Sequence, residues 1–208
     1  MKPFVIGICG GSGSGKTTLL KKISSHYGPD SVSVFTMDNY YKPIDEQVKD
    51  QKGTYNFDLP TALDEELLVN DLRKLVAGHA IEVREYHFNA PPDKNVWITI
   101  KPSKLIIVEG LFLFHYERVR ELLDYTIFVK VDSVVQLDRR LYRDQETRGY
   151  SREAILYQWD NHVAPCYKNY LLPYEECANF QFRNDVNADS DFRLLASEIS
   201  KEIDVLKV

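Results

Sequence analysis

Apolar positions in this chain form two kinds of run, which alternate from one end to the other. The first kind is short and continuous. Phe4 to Cys9, Leu105 to Val108 and Tyr125 to Val131 read as strands of a sheet covered on both faces. Ser31 to Thr36 reads as another strand and Ala178 to Phe182 as a weaker one. The second kind repeats at helical spacing. Leu63, Leu67, Leu68, Leu72, Leu75 and Val76 place an amphipathic helix at about Thr61 to Ala77, with Gly78 positioned to end it. Further helices are expected at Thr17 to Tyr27, Val134 to Arg148, Ser151 to about Val163 and Asp191 to Val205.

Two stretches interrupt this alternation. Residues 42–60 are polar, with Pro43, Gly53 and Pro60, and form an excursion of a length that in compact domains usually carries function. Ile81 to Tyr86 alternates like a half-exposed strand. It is expected to pair with Val96 to Ile100 across the turn Pro91-Pro92-Asp93-Lys94-Asn95. Strands alternating with helices predict an α/β fold with a largely parallel sheet. Right-handed crossovers then gather ligands at the carboxyl ends of the strands.

Composition adds limits. The chain has 208 residues, long for one domain and short for two, and 44% of them are apolar, enough for a sizeable core. A formal charge of −5 gives no footprint for nucleic acid or an anionic membrane. Three cysteines without a C-x-x-C fit a reducing cytosol, and no apolar run approaches membrane-spanning length. The opening Met-Lys-Pro and six apolar residues are too short for a signal-peptide core.

Chemistry enters with the stretch after the first strand. Gly10 to Thr17 spells G-x-x-x-x-G-K-T, the phosphate-binding loop, with a strand before it and a helix after it. Gly10, Gly11, Gly13 and Gly15 let the backbone turn tightly between Ser12 and Ser14 and aim N–H groups at a phosphate. The helix start at Thr17 and Thr18 adds its positive dipole end. Lys16 is expected to reach the β- and γ-phosphates of a nucleoside triphosphate, and the Thr17 hydroxyl to ligate Mg²⁺.

Two carboxylates end other strands. Asp38 there would accept or orient the proton of an attacking hydroxyl, or help hold Mg²⁺ through water; the alternative is a cap on the next turn. Glu109 stands where such proteins carry a metal-binding acid, with a strand-end cap as its alternative. Arg139, Arg140, Arg143 and Arg148 crowd one helix and its end. They read either as a solvated face paired with Asp138, Asp144 and Glu146, or, behind a phosphate loop, as a closing lid. Asp58 is either a helix cap or a sugar-binding carboxylate. Tyr86, His87 and Phe88 are a weak ligand signal, and His115 and His162 read as structural or surface residues. No Asn-Lys-x-Asp guanine reader is found. Asp50-Gln51-Lys52-Gly53 spells D-x-x-G but lies in the polar excursion.

Taken together, several separated motifs resemble the uridine kinase family of P-loop kinases, a group that includes phosphoribulokinase. They are residues 10–18, Asp-Asn-Tyr-Tyr-Lys at 38–42, Tyr-Asn-Phe-Asp-Leu-Pro-Thr-Ala-Leu-Asp at 55–64, Val-Glu-Gly-Leu at 108–111 and Arg-Arg-Leu-Tyr-Arg-Asp-x-x-x-Arg-Gly at 139–149. The resemblance spans about residues 4–183. It implies a P-loop NTPase fold, a five-stranded parallel sheet with helices on both faces. It also implies a single kinase domain over 1–208, with a β-hairpin at 80–101 serving the acceptor and a helical lid at 133–150.

The implied activity is ATP- and Mg²⁺-dependent phosphorylation of the 5′-hydroxyl of uridine or cytidine, in cytoplasmic pyrimidine salvage. Asp38 matches the family's catalytic aspartate, acting with Lys16, Arg143 and Arg148. Thr17 and Glu109 match its Mg²⁺ ligands, with Asp38 beside them. Asp58, Tyr86, Arg140 and Gln158 match its substrate contacts. Members are often homo-oligomers, commonly tetramers. Three positions depart from the pattern: Pro91 stands where a base-reading histidine is usual, Tyr150 where an arginine follows the lid glycine, and Leu59 where many members have histidine. All the phosphate and ribose positions match, so the expectation is intact kinase chemistry with altered base recognition. The alternatives are a kinase of another small alcohol, such as a sugar phosphate or pantothenate-like compound, and a nucleotide-dependent switch.

Overall fold

The computed structural model describes residues 2–87 and 96–205. Five strands form one parallel sheet: β1 (Phe4–Gly10), β2 (Val32–Thr36), β5 (Leu105–Glu109), β6 (Tyr125–Lys130) and β7 (Phe180–Arg183), in the order β2-β5-β1-β6-β7. β1 is central and every one of its residues is buried, as its unbroken apolar run predicts. Its side chains alternate between two cores. Val5 and Cys9 face one with Phe35, Met37, Ile106 and Val108, while Phe4, Ile6 and Ile8 face the other with Leu19, Ile23, Leu195 and Ile199. Helices α1 (Lys16–Tyr27) and α7 (Ala188–Val205) cover the second face; α2 (Glu65–Val76) and a helical run after residue 158 cover the first.

The hairpin forms as expected over β3 (Ile81–Arg84) and β4 (Trp97–Ile100), with Ile81 opposite Ile100 and Arg84 opposite Trp97. Its joining turn at Pro91 to Asn95 lies outside the described residues. A short helix α3 (Glu117–Arg120) leads into β6. The arginine-rich helix α4 (Ser133–Arg148) is capped by the Asp132 carboxylate, which accepts from Val134 N, and ends at Gly149 with φ 71°.

Three expectations need correction. Leu63 is not on α2: the segment 60–62 is a 3₁₀ turn, Leu63 bridges to Tyr41, and the helix starts after Asp64, whose carboxylate caps it by accepting from Leu67 N. Asp58 therefore does not cap this helix. Nor does α5 (Arg152–Gln158) stop near Val163. The helical path continues through wider π turns at 159–163 and 167–171, around the short α6 (Ala164–Cys166), to a 3₁₀ turn at 172–174. Pro165 and Pro173 have no N–H to donate, which hides this continuation from a search for helical period.

The excursion is pinned at two levels. At its neck Lys42 N donates to Ala62 O (3.0 Å), and buried Gln47 donates to both Lys42 O (2.8 Å) and Ala62 O (3.0 Å). At its tip Lys49 bridges Tyr55, making a miniature hairpin over 48–56.

Candidate active site

The carboxyl ends of β1, β2 and β5 converge on one cleft of about 360 Å³. Register sets this up: Glu109 lies level with Ile8 on one side and Thr36 on the other. Asp38 follows two residues beyond Thr36, in a 3₁₀ turn. Gly110 permits the approach, because a Cβ there would lie 2.4 Å from Met37 Cβ. A side chain at 110 would push apart the two strand ends that carry Asp38 and Glu109.

The loop from Gly10 to Gly15 closes the cleft on the β1 side. Gly13 (φ 77°) and Gly15 (φ 98°) occupy the left-handed region, and a Cβ on Gly13 would lie 2.5 Å from Gln136 O. Lys16 Nζ donates to Gly10 O (3.0 Å) and Gly11 O (3.2 Å), which holds its ammonium over the loop. Ser12, Lys16, Thr17 and Thr18 line the cleft. Gly10 and Gly11 do not line it, and Ser14 is fully buried. Asn184, which the sequence did not single out, donates to Ser14 O (2.6 Å) and fixes the loop from the end of β7.

Asp38 and Glu109 face the same space as Lys16. Burial pushes the Glu109 carboxyl up to about 7, against the pull of Lys16 and with a further push from Asp38. Burial also raises Asp38, opposed by the charges of Lys16, Arg148 and Arg143. Buried Glu109 Oε2 has no hydrogen-bond partner. Two facing carboxylates, one with an orphaned buried oxygen, and the Thr17 hydroxyl make an oxygen donor set that fits Mg²⁺, which takes few protein ligands and keeps several waters. Among the described residues no group of three or more His, Cys, Asp or Glu is gathered for a metal ion.

Arg140, Arg143 and Arg148 are not on a solvated face, whereas Arg139 is exposed. Asp144, with no exposed side chain, forms ion pairs with Arg140 (3.2 Å), Arg143 (2.7 Å) and Arg148 (3.2 Å). One buried carboxylate thus anchors three guanidinium groups that line the cleft. From the sequence Asp144 read only as an i,i+4 partner; its burial depends on tertiary packing. Arg139 donates to Gly13 O (3.3 Å) and Ser14 O (3.4 Å), and Arg140 to Ser12 Oγ (3.1 Å), so α4 lies against the phosphate loop.

Opposite the loop, Tyr41, Tyr55, Phe57 and Tyr86 make an aromatic wall. The ring centroids of Tyr41 lie 5.2 Å from Tyr86 and 6.0 Å from Phe57. Asn39 Oδ1 accepts from Tyr86 N (2.9 Å), tying the hairpin to the end of β2. Asp58 lies within this wall, its carboxyl raised by burial and pulled back by Arg140, His162 and Arg143. Gln158 accepts from Arg140 (3.1 Å), and Tyr150 lines the same cleft. His162 is no surface residue. It is buried, lines the cleft and bonds Asp50 (2.8 Å). Tyr41 had only its place beside Asp38 in the 38–42 motif as a signal, and His162 had none. Pro91 and Phe88 lie outside the described residues.

The family described as phosphoribulokinase/uridine kinase matches residues 5–189. "Uridine-cytidine kinase B" of Dictyostelium discoideum is 35% identical over 85% of this chain and 73% of its own length. "Uridine kinase" of Brevibacillus brevis is 36% identical over 85% of this chain and 83% of its own. Among solved structures, phosphoribulokinase from Rhodobacter spheroides superposes with a TM-score of 0.64 at 18% identity, covering 88% of this chain and 70% of that one, a likeness of fold.

Proposed function

The chain belongs to the phosphoribulokinase/uridine kinase family, and on that footing we propose that it transfers the γ-phosphoryl group of ATP to the 5′-hydroxyl of uridine or cytidine. The observation that carries this is one cleft with a phosphate loop on one wall, an aromatic wall holding Asp58 on the other, and Asp38 between them among Lys16, Arg143 and Arg148. Relatives at 35–36% identity named as uridine kinases support the acceptor class.

In this reading the loop residues Gly10 to Thr18 hold the triphosphate. Asp58 takes the ribose hydroxyls, Tyr86 and the neighbouring rings take the base side, and Arg140 and Gln158 complete the acceptor contacts. Asp38 accepts the proton of the attacking hydroxyl, and its raised carboxyl is the stronger base for it. Lys16, Arg143 and Arg148 meet the charge that develops on the transferring group. Helix α4, as part of a lid at 133–150, keeps water from competing. Thr17 and Glu109, with Asp38 beside them, would hold Mg²⁺, which when bound neutralises phosphate charge.

Base reading departs from the family's usual pattern at Tyr150, which lines the cleft where the resemblance places an arginine. Weaker discrimination among bases is expected from that exchange. No helix among the described residues is long and apolar enough to cross a membrane. A cytoplasmic enzyme, homo-oligomeric and tetrameric by resemblance, acting in pyrimidine salvage, completes the reading.

The test is an acceptor panel with purified protein and Mg²⁺–ATP, scored by ADP release. Uridine and cytidine should stimulate release, with a shallower preference over purine nucleosides than a relative carrying the arginine; a sugar phosphate and pantothenate should not. Stimulation by one of the latter alone would replace the nucleoside with another alcohol. Slow release that no acceptor raises would favour a nucleotide switch.

A further inference from the structure

The D-x-x-G at Asp50 plays no part in the chemistry above, yet its carboxylate makes more hydrogen bonds than its own turn requires. Asp50 opens the tip of the miniature hairpin at 48–56. Its Oδ1 accepts from Lys52 N (2.9 Å) and Thr54 N (2.9 Å), which folds the turn. That leaves Oδ2 available, and it reaches across to the helical segment after the lid. There it accepts from Tyr157 Oη (2.7 Å) and His162 Nε2 (2.8 Å). Lys52 Nζ adds a cation–π contact 4.3 Å above the Tyr157 ring.

What the two sides carry gives this contact its meaning. The hairpin's return arm is Thr54 to Asn56, and Tyr55, Phe57 and Asp58 on it or just after it line the cleft. On the helical side, Tyr157 is next to Gln158, which accepts from Arg140 of the lid. From this geometry we infer that Asp50 is a positioning residue for the acceptor: it clasps the wall bearing Tyr55, Phe57 and Asp58 to the segment bearing Gln158. The inference rests on the reading of this cleft as the acceptor site. The Tyr157 hydroxyl, helped by the Thr54 and Lys52 amides and His162, also holds the Asp50 carboxyl well below the usual carboxylate range, so the clasp is ionised throughout the neutral region.

A clasp of this kind affects where the acceptor sits and leaves the phosphate loop alone. The test is a mutant cycle of Asp50→Asn, Tyr157→Phe and the double variant, read as KM for the acceptor, KM for ATP and kcat. Asp50→Asn should raise the acceptor KM about tenfold, and Tyr157→Phe a few-fold, with ATP KM and kcat within about twofold. The double variant should be no worse than Asp50→Asn alone, since Tyr157→Phe removes a contact that Asp50→Asn has already disrupted. Hydrogen exchange at the amides of 54–58 should quicken in both single variants. Additive effects, an ATP KM that rises in step, or unchanged exchange and acceptor KM would overturn the clasp. The kinetic arm uses whichever acceptor the wild type turns over fastest, so failure with pyrimidine nucleosides would sink the nucleoside reading while the clasp is still tested. If Asp50→Asn fails to fold, Tyr157→Phe, which leaves the turn's own bonds in place, decides by the same readouts.

Discussion

On the proposed donor side, β1 runs directly into the loop Gly10–Gly15, and much of what faces the phosphate is backbone held by the sheet. On the acceptor side no strand of the main sheet contributes a wall. The wall comes from Tyr41, the excursion 42–60, the end of the hairpin and the helical path from α4 to residue 163, joined by side chains: Asn39 to Tyr86, Asp50 to Tyr157 and His162, Gln158 to Arg140, and Asp144 to three arginines. Backbone donors fixed by strand register tolerate changes of neighbouring side chains. A wall made of side-chain bonds fails one bond at a time. The donor side should therefore respond to substitution in an all-or-none way, and the acceptor side by degrees.

The sharpest way to break this comparison is at Asp38, where the two halves meet. Asp38→Asn should lower kcat about 10³-fold while ATP KM stays within about threefold. A lost ATP affinity with kcat spared would move Asp38 to the donor side as a metal or folding residue.

Asp144→Asn comes next. Its carboxylate is buried, but Arg143 and Arg148 keep 39% and 25% of their side-chain surface, so solvent offsets part of the loss. Destabilisation of about 2–3 kcal/mol is expected in denaturant unfolding, with acceptor KM raised more than ATP KM. An equal rise in both would show that the lid serves the two halves alike.

Glu109→Gln gives the smallest effect on stability, and its size depends on pH. In the metal-free protein the carboxyl stands at about 7 instead of its ordinary 4.5, so the folded state holds a proton that the unfolded chain releases. Stability from that preference is complete below about pH 4.5 and is lost as pH rises through about 7. Glutamine imitates the protonated form. The variant should therefore be more stable than wild type by about 1–2 kcal/mol at pH 8, with the gap closing below about pH 5. It should also be poor in activity. A gap independent of pH would mean that Glu109 is not held protonated by burial.

The two halves also differed in how far the sequence disclosed them. Gly10 to Thr18 is contiguous, and Asp38 and Glu109 follow apolar runs whose strand character was plain. The five strands, and the loop, Asp38 and Glu109 at their carboxyl ends, were therefore legible in the sequence. Asp144 was not, because a buried hub and a solvated i,i+4 partner have the same spacing along a helix. The Asp50–His162 contact joins residues 112 apart, with no periodicity linking them. Pro165 and Pro173 concealed the continuation of the helical path beyond Val163, and Leu63 mimicked a helical position while pairing with Tyr41. The family resemblance supplied Asp58, Tyr86 and Gln158 as a set, and the folded chain supplied the bonds that join them.

The most direct measurement follows the label from [γ-³²P]ATP in a single turnover with excess purified protein, Mg²⁺ and uridine. The account predicts that the label appears in uridine 5′-monophosphate as fast as ADP forms, with little inorganic phosphate. Label passing to water at the same rate with or without uridine would contradict it.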